Sequence, residues 1–348
     1  MFITTLPPFF IAPSHALAHP LSLALRSKSL WRILIITLFT FVGFHNFISS
    51  GRGTFSDSST VITADLPVTV VTAYYNIPSK RSNDSYQEWM SNFLGTIPCH
   101  LYIYTDAASQ SNIRRLRWRF LNRTRIVIKS FSDLEMSKRG GLWEAQRKLD
   151  TETNHTKELY IIWNEKLHFV ADAIRENIFK SNYFMWTDIG SFRNPLFLRR
   201  LISFPNGKRM RLLLGKDKVF LLQPQNATAT DMLPVSEGEL PGVQIAKQIP
   251  IAGGAFAGHR DALLHYKDLY YGTMDRLIEE KRFVGKDQNT ISAVAAMHPK
   301  MFCLVQAQQY FKGAGDRWFY YLYFFTGWRT NVTKICHHEP KVLPPNLN

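Results

Sequence analysis

The strongest constraint in the sequence is an alternation of element types that begins at Val68. Val68 to Tyr75 (VTVVTAYY) is a β-branched and aromatic run of strand length. Asp84 to Leu94 then sets Tyr86, Trp89, Met90 and Phe93 at helical spacing, and Cys99 to Tyr104 (CHLYIY) is a second strand ending on Thr105-Asp106. Ser109 to Leu121 has the pattern of a basic amphipathic helix whose charges form one solvated face, and Arg125 to Ile128 is a third strand. Strand, helix, strand, helix, strand predicts a parallel, doubly wound α/β sheet.

A long helical region is expected from Trp143 to Phe179, broken by the polar stretch Asp150 to Lys157. Its second part carries an apolar face from Leu159, Ile162 and Trp163 through Leu167 and Val170 to Ile174, and Lys166 falls inside that pattern. Next comes YFMWTDIGSFRN, Tyr183 to Asn194: four apolar or aromatic residues of a buried strand, stopping abruptly on Thr187-Asp188-Ile189-Gly190. In an open α/β sheet, ligands bind beyond the carboxyl ends of the strands. A carboxylate placed there can hold a divalent cation, and Gly190 lets backbone approach a ligand closely. The plain alternative is an Asp turn that closes a core strand.

Met210 to Leu214 and Val219 to Leu222 read as two short strands around the charged turn Gly215 to Lys218, and 223–247 as a surface loop, the place for a lid or an insertion. Ile249 to Gly258 (IPIAGGAFAG) is rich in small residues and runs into a helix, Arg260 to Glu280. Gly253-Gly254 permits close backbone approach to a ligand, or else marks a bulge or a tight packing turn. No G-K-[ST] follows, so this is not a phosphate-binding P-loop. Gly285-Lys286-Asp287-Gln288-Asn289 leads into an Ala-rich helix, Thr290 to Met297, for which Asp287 can serve simply as N-cap. Phe302 to Val305 is a further strand, and the aromatic run Trp318 to Trp328 is either core or a sugar-stacking surface.

The N-terminal part differs in kind. Ile33 to Phe44 carries no charge, and the uncharged stretch continues to Ser50, eighteen residues in all, near the lower limit for a membrane span. Arg26, Lys28 and Arg32 precede it, which places the N-terminus in the cytosol and the remainder on the other side. A tail this long ahead of the apolar run favours a signal anchor over a cleaved signal peptide. Five N-x-[ST] sequons follow, at Asn83, Asn122, Asn154, Asn226 and Asn331, all on the side predicted to be translocated. The expected organisation is a cytosolic tail (1–32), a transmembrane signal anchor (33–50), a Ser/Gly/Thr-rich stem (51–66), a lumenal α/β domain (67–335) and a short tail (336–348). It is that of a single-pass type II membrane protein of the Golgi or ER.

Net charge of +15 favours anionic partners, and four of those charges lie in residues 1–56. Without zinc-ligand spacing or a basic–aromatic RNA-binding signature, nucleic acid is not an expected partner. Three cysteines, Cys99, Cys303 and Cys336, allow one intramolecular disulfide and leave one thiol over.

Taken together, LYIIWNEKLHFV, FMWTDIGSFRN, IAGGAFAG with the helix after it, and GKDQNTISAV resemble the HtrL/YibB family across roughly residues 68–312. That family is itself similar to glycosyltransferases of the GT-A fold. The resemblance implies a Rossmann-like, mostly parallel sheet flanked by helices, a nucleotide-sugar donor, and a glycan, protein or lipid acceptor. It implies donor contacts from Thr72, Ala73 and Tyr74 at the end of the first strand, and it matches Asp188 to the first aspartate of a metal-binding Asp-x-Asp. Gly190 stands where the second aspartate belongs, so dependence on Mn²⁺ or Mg²⁺ is in question. Lys166 and Arg193 are the nearest cations to supplement or replace an ion at the diphosphate. Gly253 and Gly254 are expected to floor the donor sugar. Asp287 and Gln288 match a later pair that contacts sugar hydroxyls, with Asp287 as the general base. Two other classes stand against this one. An inactive lumenal carbohydrate-binding or scaffold domain is favoured by the incomplete metal motif. A metal-dependent hydrolase or phosphotransferase is disfavoured, because it needs a convergent carboxylate or His cluster and its candidates Asp106, Asp188, His259 and Asp287 are scattered.

Overall fold

The computed structural model describes residues 67–79, 81–224, 238–241, 251–307, 317–327 and 336, all within one compact unit, Thr63–Asn348. The expected membrane anchor, the loop around 223–247 (apart from 223–224 and 238–241) and the sequons at Asn226 and Asn331 lie outside them. No helix among the described residues is long and apolar enough to cross a membrane.

The core is one seven-stranded sheet: β1 Val68–Tyr74, β2 His100–Thr105, β3 Thr124–Ile128, β4 Tyr183–Thr187, β5 Val219–Gln223, β6 Ala252–His259 and β7 Phe302–Gln306, in the order β3-β2-β1-β4-β6-β5-β7. β1 pairs parallel with both β2 and β4, β2 with β3, and β5 with β7. Only β6 among these strands runs antiparallel to its neighbours, β4 and β5. The expectation of a mostly parallel sheet therefore holds, and β6 is the exception to a fully parallel one. Both faces of the sheet are covered. In β1, Val68 and Val70 face one apolar cluster while Val71 and Ala73 face the other, so the strand is buried throughout.

Helices α1 Asn83–Thr96, α2 Gln110–Leu116, α3 Leu142–Leu149, α4 Lys157–Glu176, α5 Gly207–Leu214, α6 Arg260–Glu279, α7 Asp287–Met297 and α8 Tyr320–Phe324 complete the described residues. Two expectations change. Met210 to Leu214 is not a strand but the end of α5. Asn206 caps that helix by accepting from Arg209 N at 2.8 Å, and Gly215 ends it at φ 56°. The basic helix after β2 also stops early, at Leu116, where a 3₁₀ segment, Trp118–Arg123, takes over. The aromatic run near the C-terminus divides: Tyr320 to Phe325 are buried core, while Trp318 and Phe319 are only partly buried. Cys303 in β7 is bonded to Cys336, and Cys99 is left as a buried free thiol, as the cysteine count allowed.

Strand order dictates where a ligand can sit. The chain leaves β1 toward β2 and β3, then returns to place β4 on the other side of β1. Two parallel neighbours whose connections depart in opposite directions open a crevice beyond their carboxyl ends. Here that crevice lies between the residues after Ala73 and those after Trp186.

Candidate active site

A cleft of about 130 Å³ occupies that position. Its walls include Ala73 and Tyr74 from the end of β1, Trp186 and Asp188 from the end of β4, Lys166 from α4 and Arg193 from the segment after β4. Each is delivered by a local feature. β4 is apolar through Trp186 and stops at Asp188, whose backbone N–H donates to Gly254 O at 2.9 Å and so closes the sheet at that point. β6 runs the other way, so its first residues, Gly253 and Gly254, arrive where β4 ends.

Lys166 is the centre of the arrangement. It lies on the buried face of α4, four residues after Ile162, at a place where an apolar side chain is the rule. Its Nζ donates to Asp287 Oδ2 at 2.7 Å and to Gly253 O at 2.8 Å, and lies 3.2 Å from Asp188 Oδ1. Burial alone would push the ammonium pKa down. The charges of Asp188 and Asp287, with their hydrogen bonds, outweigh it and hold the group above its ordinary value. The lysine is therefore charged at neutral pH. One lysine faces two carboxyl groups, so the trio holds no positive charge left over for a ligand.

The two carboxylates are not equivalent. Asp188 Oδ1 also accepts the Trp186 indole N–H at 2.7 Å, which fixes its rotamer, while the side chain keeps 39% of its surface exposed. Asp287 is 5% exposed and lies behind Gly253. A Cβ on Gly253 would stand 2.4 Å from Asp287 Oδ2, so the glycine is there to admit the carboxylate. Burial raises the Asp287 pKa above the usual carboxylate range, against the opposing pull of Lys166. Asp287 is the first residue of α7 and Lys286 is the N-cap. The Asp287 carboxylate accepts from Gln288 N at 2.9 Å and turns inward to Lys166. It thus supports the floor of the cleft and does not line it. Thr72, fully buried in β1, and Gln288, whose amide donates to Ile251 O at 3.3 Å, are likewise outside the lining. Of the residues singled out from sequence, Ala73, Tyr74, Lys166, Asp188 and Arg193 converge on the cleft, with Gly253 and Gly254 directly beneath.

Several contributors had no signal in the sequence. Asn164 is buried in α4. Its amide donates to Tyr160 O, Val284 O and Gly285 O, and its Oδ1 accepts from Tyr270 O–H at 2.6 Å. Gln146 Oε1 accepts from Val284 N at 2.7 Å. These amides hold the loop that presents Asp287, and nothing short of tertiary structure pairs them with it. Tyr86, Trp163 and Phe319 also line the cleft. Tyr86 and Trp89 occupy the side of Gly190: a Cβ there would stand 3.0 Å from Trp89 Cε3 and 3.3 Å from Tyr86 Cε1.

These residues fit a protein-held divalent ion poorly. Asp188 Oδ1 is already committed to Trp186 and Lys166, which leaves one carboxylate oxygen. The position of the second aspartate is glycine under an aromatic pair, and no group of three metal-ligating side chains occurs among the described residues. Of the five sequons, Asn83, Asn122 and Asn154 are exposed, and Asn83 stands at the rim of the cleft.

No curated protein matches the chain. Among solved structures it is similar to the apo form of mouse xyloside xylosyltransferase 1, at 12% sequence identity and a TM-score of 0.42, over 74% of this chain and 94% of that one. The profile of a family described as "Bacterial protein of unknown function (HtrL_YibB)" matches residues 66–325, most of the chain and the whole of the site. The chain belongs to the HtrL_YibB family.

Proposed function

We propose that the protein is a GT-A-type glycosyltransferase that moves a sugar from a nucleotide-sugar donor to a glycan, protein or lipid acceptor. The observation that carries this reading is the cleft at the switch point of the sheet. There an oriented, partly exposed carboxylate (Asp188), held by the buried Lys166, meets the Arg193 cation at the carboxyl ends of β1 and β4. Glycosyl transfer needs those types. The bond from the anomeric carbon to the diphosphate oxygen breaks with its electron pair on the oxygen. The acceptor oxygen bonds to that carbon, and its proton passes to a base. Positive charge at the diphosphate stabilises the leaving group, and a carboxylate orients the sugar or takes the proton. Asp188 is the carboxylate within reach of the cleft, and Asp287 acts on it through Lys166.

The same reading makes the chain a single-pass type II protein of the Golgi or ER membrane, anchored by residues 33–50. The exposed sequons and the Cys303–Cys336 bond accord with a lumenal domain, since disulfides persist in oxidising compartments. The incomplete metal motif favours a second reading, a carbohydrate-binding scaffold without turnover.

The test is to incubate the detergent-solubilised full-length protein with UDP-, GDP- and CMP-sugars and follow nucleotide release. One nucleotide class is consumed by the wild type, and Asp188→Asn reduces the rate about 100-fold or more. Binding of glycans with no release from any donor establishes the scaffold instead.

A further inference from the structure

The motif that gives the first aspartate of a metal site has glycine in place of the second, and the structure shows what took that place. Gly190 packs tightly against Tyr86 and Trp89: a Cβ there would stand 3.0 Å from Trp89 Cε3, so a side chain requires the rings to give way. Beside it, Arg193 donates through Nε to Gly190 O at 3.0 Å, while its guanidinium carbon lies 4.2 Å from the Trp89 ring centre and 4.4 Å from that of Phe319. Two ring faces and a carbonyl hold one planar cation at the cleft wall, on the same turn as Asp188.

Lys166 cannot do the same work. It is 4% exposed, and its charge lies between two aspartates. The trio offers a diphosphate no unmatched positive charge, so an anionic ligand in this cleft needs a positive group placed elsewhere on the wall. Arg193 is such a group. A guanidinium resting on aromatic faces has little side-chain freedom left to lose when it binds, and its planar fork matches phosphate oxygens two at a time.

We propose that Arg193, oriented by Trp89 and Phe319, grips the diphosphate of the donor in place of a divalent ion, so that this protein binds nucleoside diphosphates without metal. The assignment rests on reading the cleft as a nucleotide-sugar site. It adds the group that neutralises the leaving diphosphate and removes the metal requirement. Tyr86, Trp89 and Gly190 are then the signature of the exchange: the aromatic pair crowds the place of a second carboxylate, and Trp89 also supports the arginine.

The experiment is calorimetric titration of the full-length protein with UDP and GDP in excess EDTA, and with the parent nucleosides. It compares the wild type with Arg193→Gln and Arg193→Lys, and the fold of each variant is checked by circular dichroism. The wild type binds one diphosphate in EDTA, and added Mn²⁺ changes its Kd less than threefold. Arg193→Gln weakens that binding at least 30-fold, Arg193→Lys weakens it less, and neither changes nucleoside affinity. Arg193→Lys keeps the charge, so it carries the test if the glutamine variant does not fold. The proposal is overturned if the folded variants bind the diphosphate within threefold of the wild type. It is overturned equally if wild-type binding appears only with Mn²⁺, in which case the glycosyltransferase reading stands and the metal-free one falls. If the wild type binds neither diphosphate under any condition, the diphosphate grip falls, and the glycosyltransferase reading stands only if CMP binds.

Discussion

Gly253 and Gly254 are adjacent, both in β6, and neither has a backbone conformation reserved for glycine. Their neighbours alone predict opposite tolerance. In Gly253→Ala the new methyl would lie 2.4 Å, 2.5 Å and 2.7 Å from Oδ2, Oδ1 and Cγ of Asp287. That carboxylate is held by Lys166 at 2.7 Å and by Gln288 N at 2.9 Å, so it is not a flexible end that swings aside. Either β6 shifts, an overpacking cost of about 1–3 kcal/mol, or Asp287 leaves and breaks a buried ion pair, at about 3–5 kcal/mol. The smaller route sets the outcome, so a loss of roughly 2–3 kcal/mol is expected. In Gly254→Ala the nearest atom is Asp188 Oδ2 at 3.4 Å, an ordinary contact with a partly exposed group, and the cost stays below about 1 kcal/mol. Urea unfolding of the two variants beside the wild type measures both. Gly253→Ala also lowers donor turnover, because a shift of β6 moves the Gly253 carbonyl that holds Lys166 beside Asp188. Equal stability of the two variants would refute the reasoning, since it would mean that Asp287 does not fill the space in front of Gly253.

Three further expectations follow from other contacts. Burial pushes the Glu165 carboxyl up to about 7, against the pull of the Met136 and Glu135 amides and of Lys129, so between its unfolded value near 4.5 and 7 the folded state binds the extra proton. Stability is therefore lost as pH rises through that window, by up to about 3 kcal/mol, and urea midpoints of Glu165→Gln should lack this component. Neighbouring His168, pushed down to about 4 by burial, works in the opposite direction as it is neutral when folded, so the wild-type profile is flatter than either group alone would make it. Cys303 and Cys336 are 33 residues apart, and the chain-entropy estimate for such a loop makes Cys336→Ser less stable by about 3–4 kcal/mol in thermal unfolding. Gly190→Asp, which rebuilds the metal motif in sequence, should cost about 1–3 kcal/mol against Trp89 and Tyr86 and should not make nucleotide binding respond to Mn²⁺.

The parts of this site that were legible in the sequence are those written in local code. A buried strand followed by Asp-Ile-Gly, a double glycine in a run of small residues, and a lysine inside an apolar helical stripe can each be read without a partner. Met210 to Leu214 misled because five residues containing Leu-Leu-Leu fit either a short strand or a last helical turn. The cap at Asn206 and the stop at Gly215, which decide it, stand outside the run. Asp287 was recognisable as a site residue but not as a buried one, because its depth depends on the space left by Gly253, thirty-four positions away. The supporting roles of Asn164, Gln146 and Trp89 were illegible for the same reason, whereas Phe319 stands in an aromatic run that reads as core or as a stacking surface. An amide that caps a distant loop and a ring that carries an arginine acquire their roles only from the fold.

The central claim is that the cleft at the ends of β1 and β4 is a nucleotide-sugar site centred on Asp188. The most direct measurement is thermal unfolding of the full-length protein with UDP, GDP or CMP at saturating concentration, repeated for Asp188→Ala. A ligand that binds only the native state at a hundredfold excess over its Kd adds about 2.7 kcal/mol. A raised midpoint with one of the three is expected, and Asp188→Ala keeps it while no longer releasing nucleotide from the matching sugar donor. A cooperative wild-type transition that none of the three moves, or donor turnover by Asp188→Ala at the wild-type rate, would contradict it.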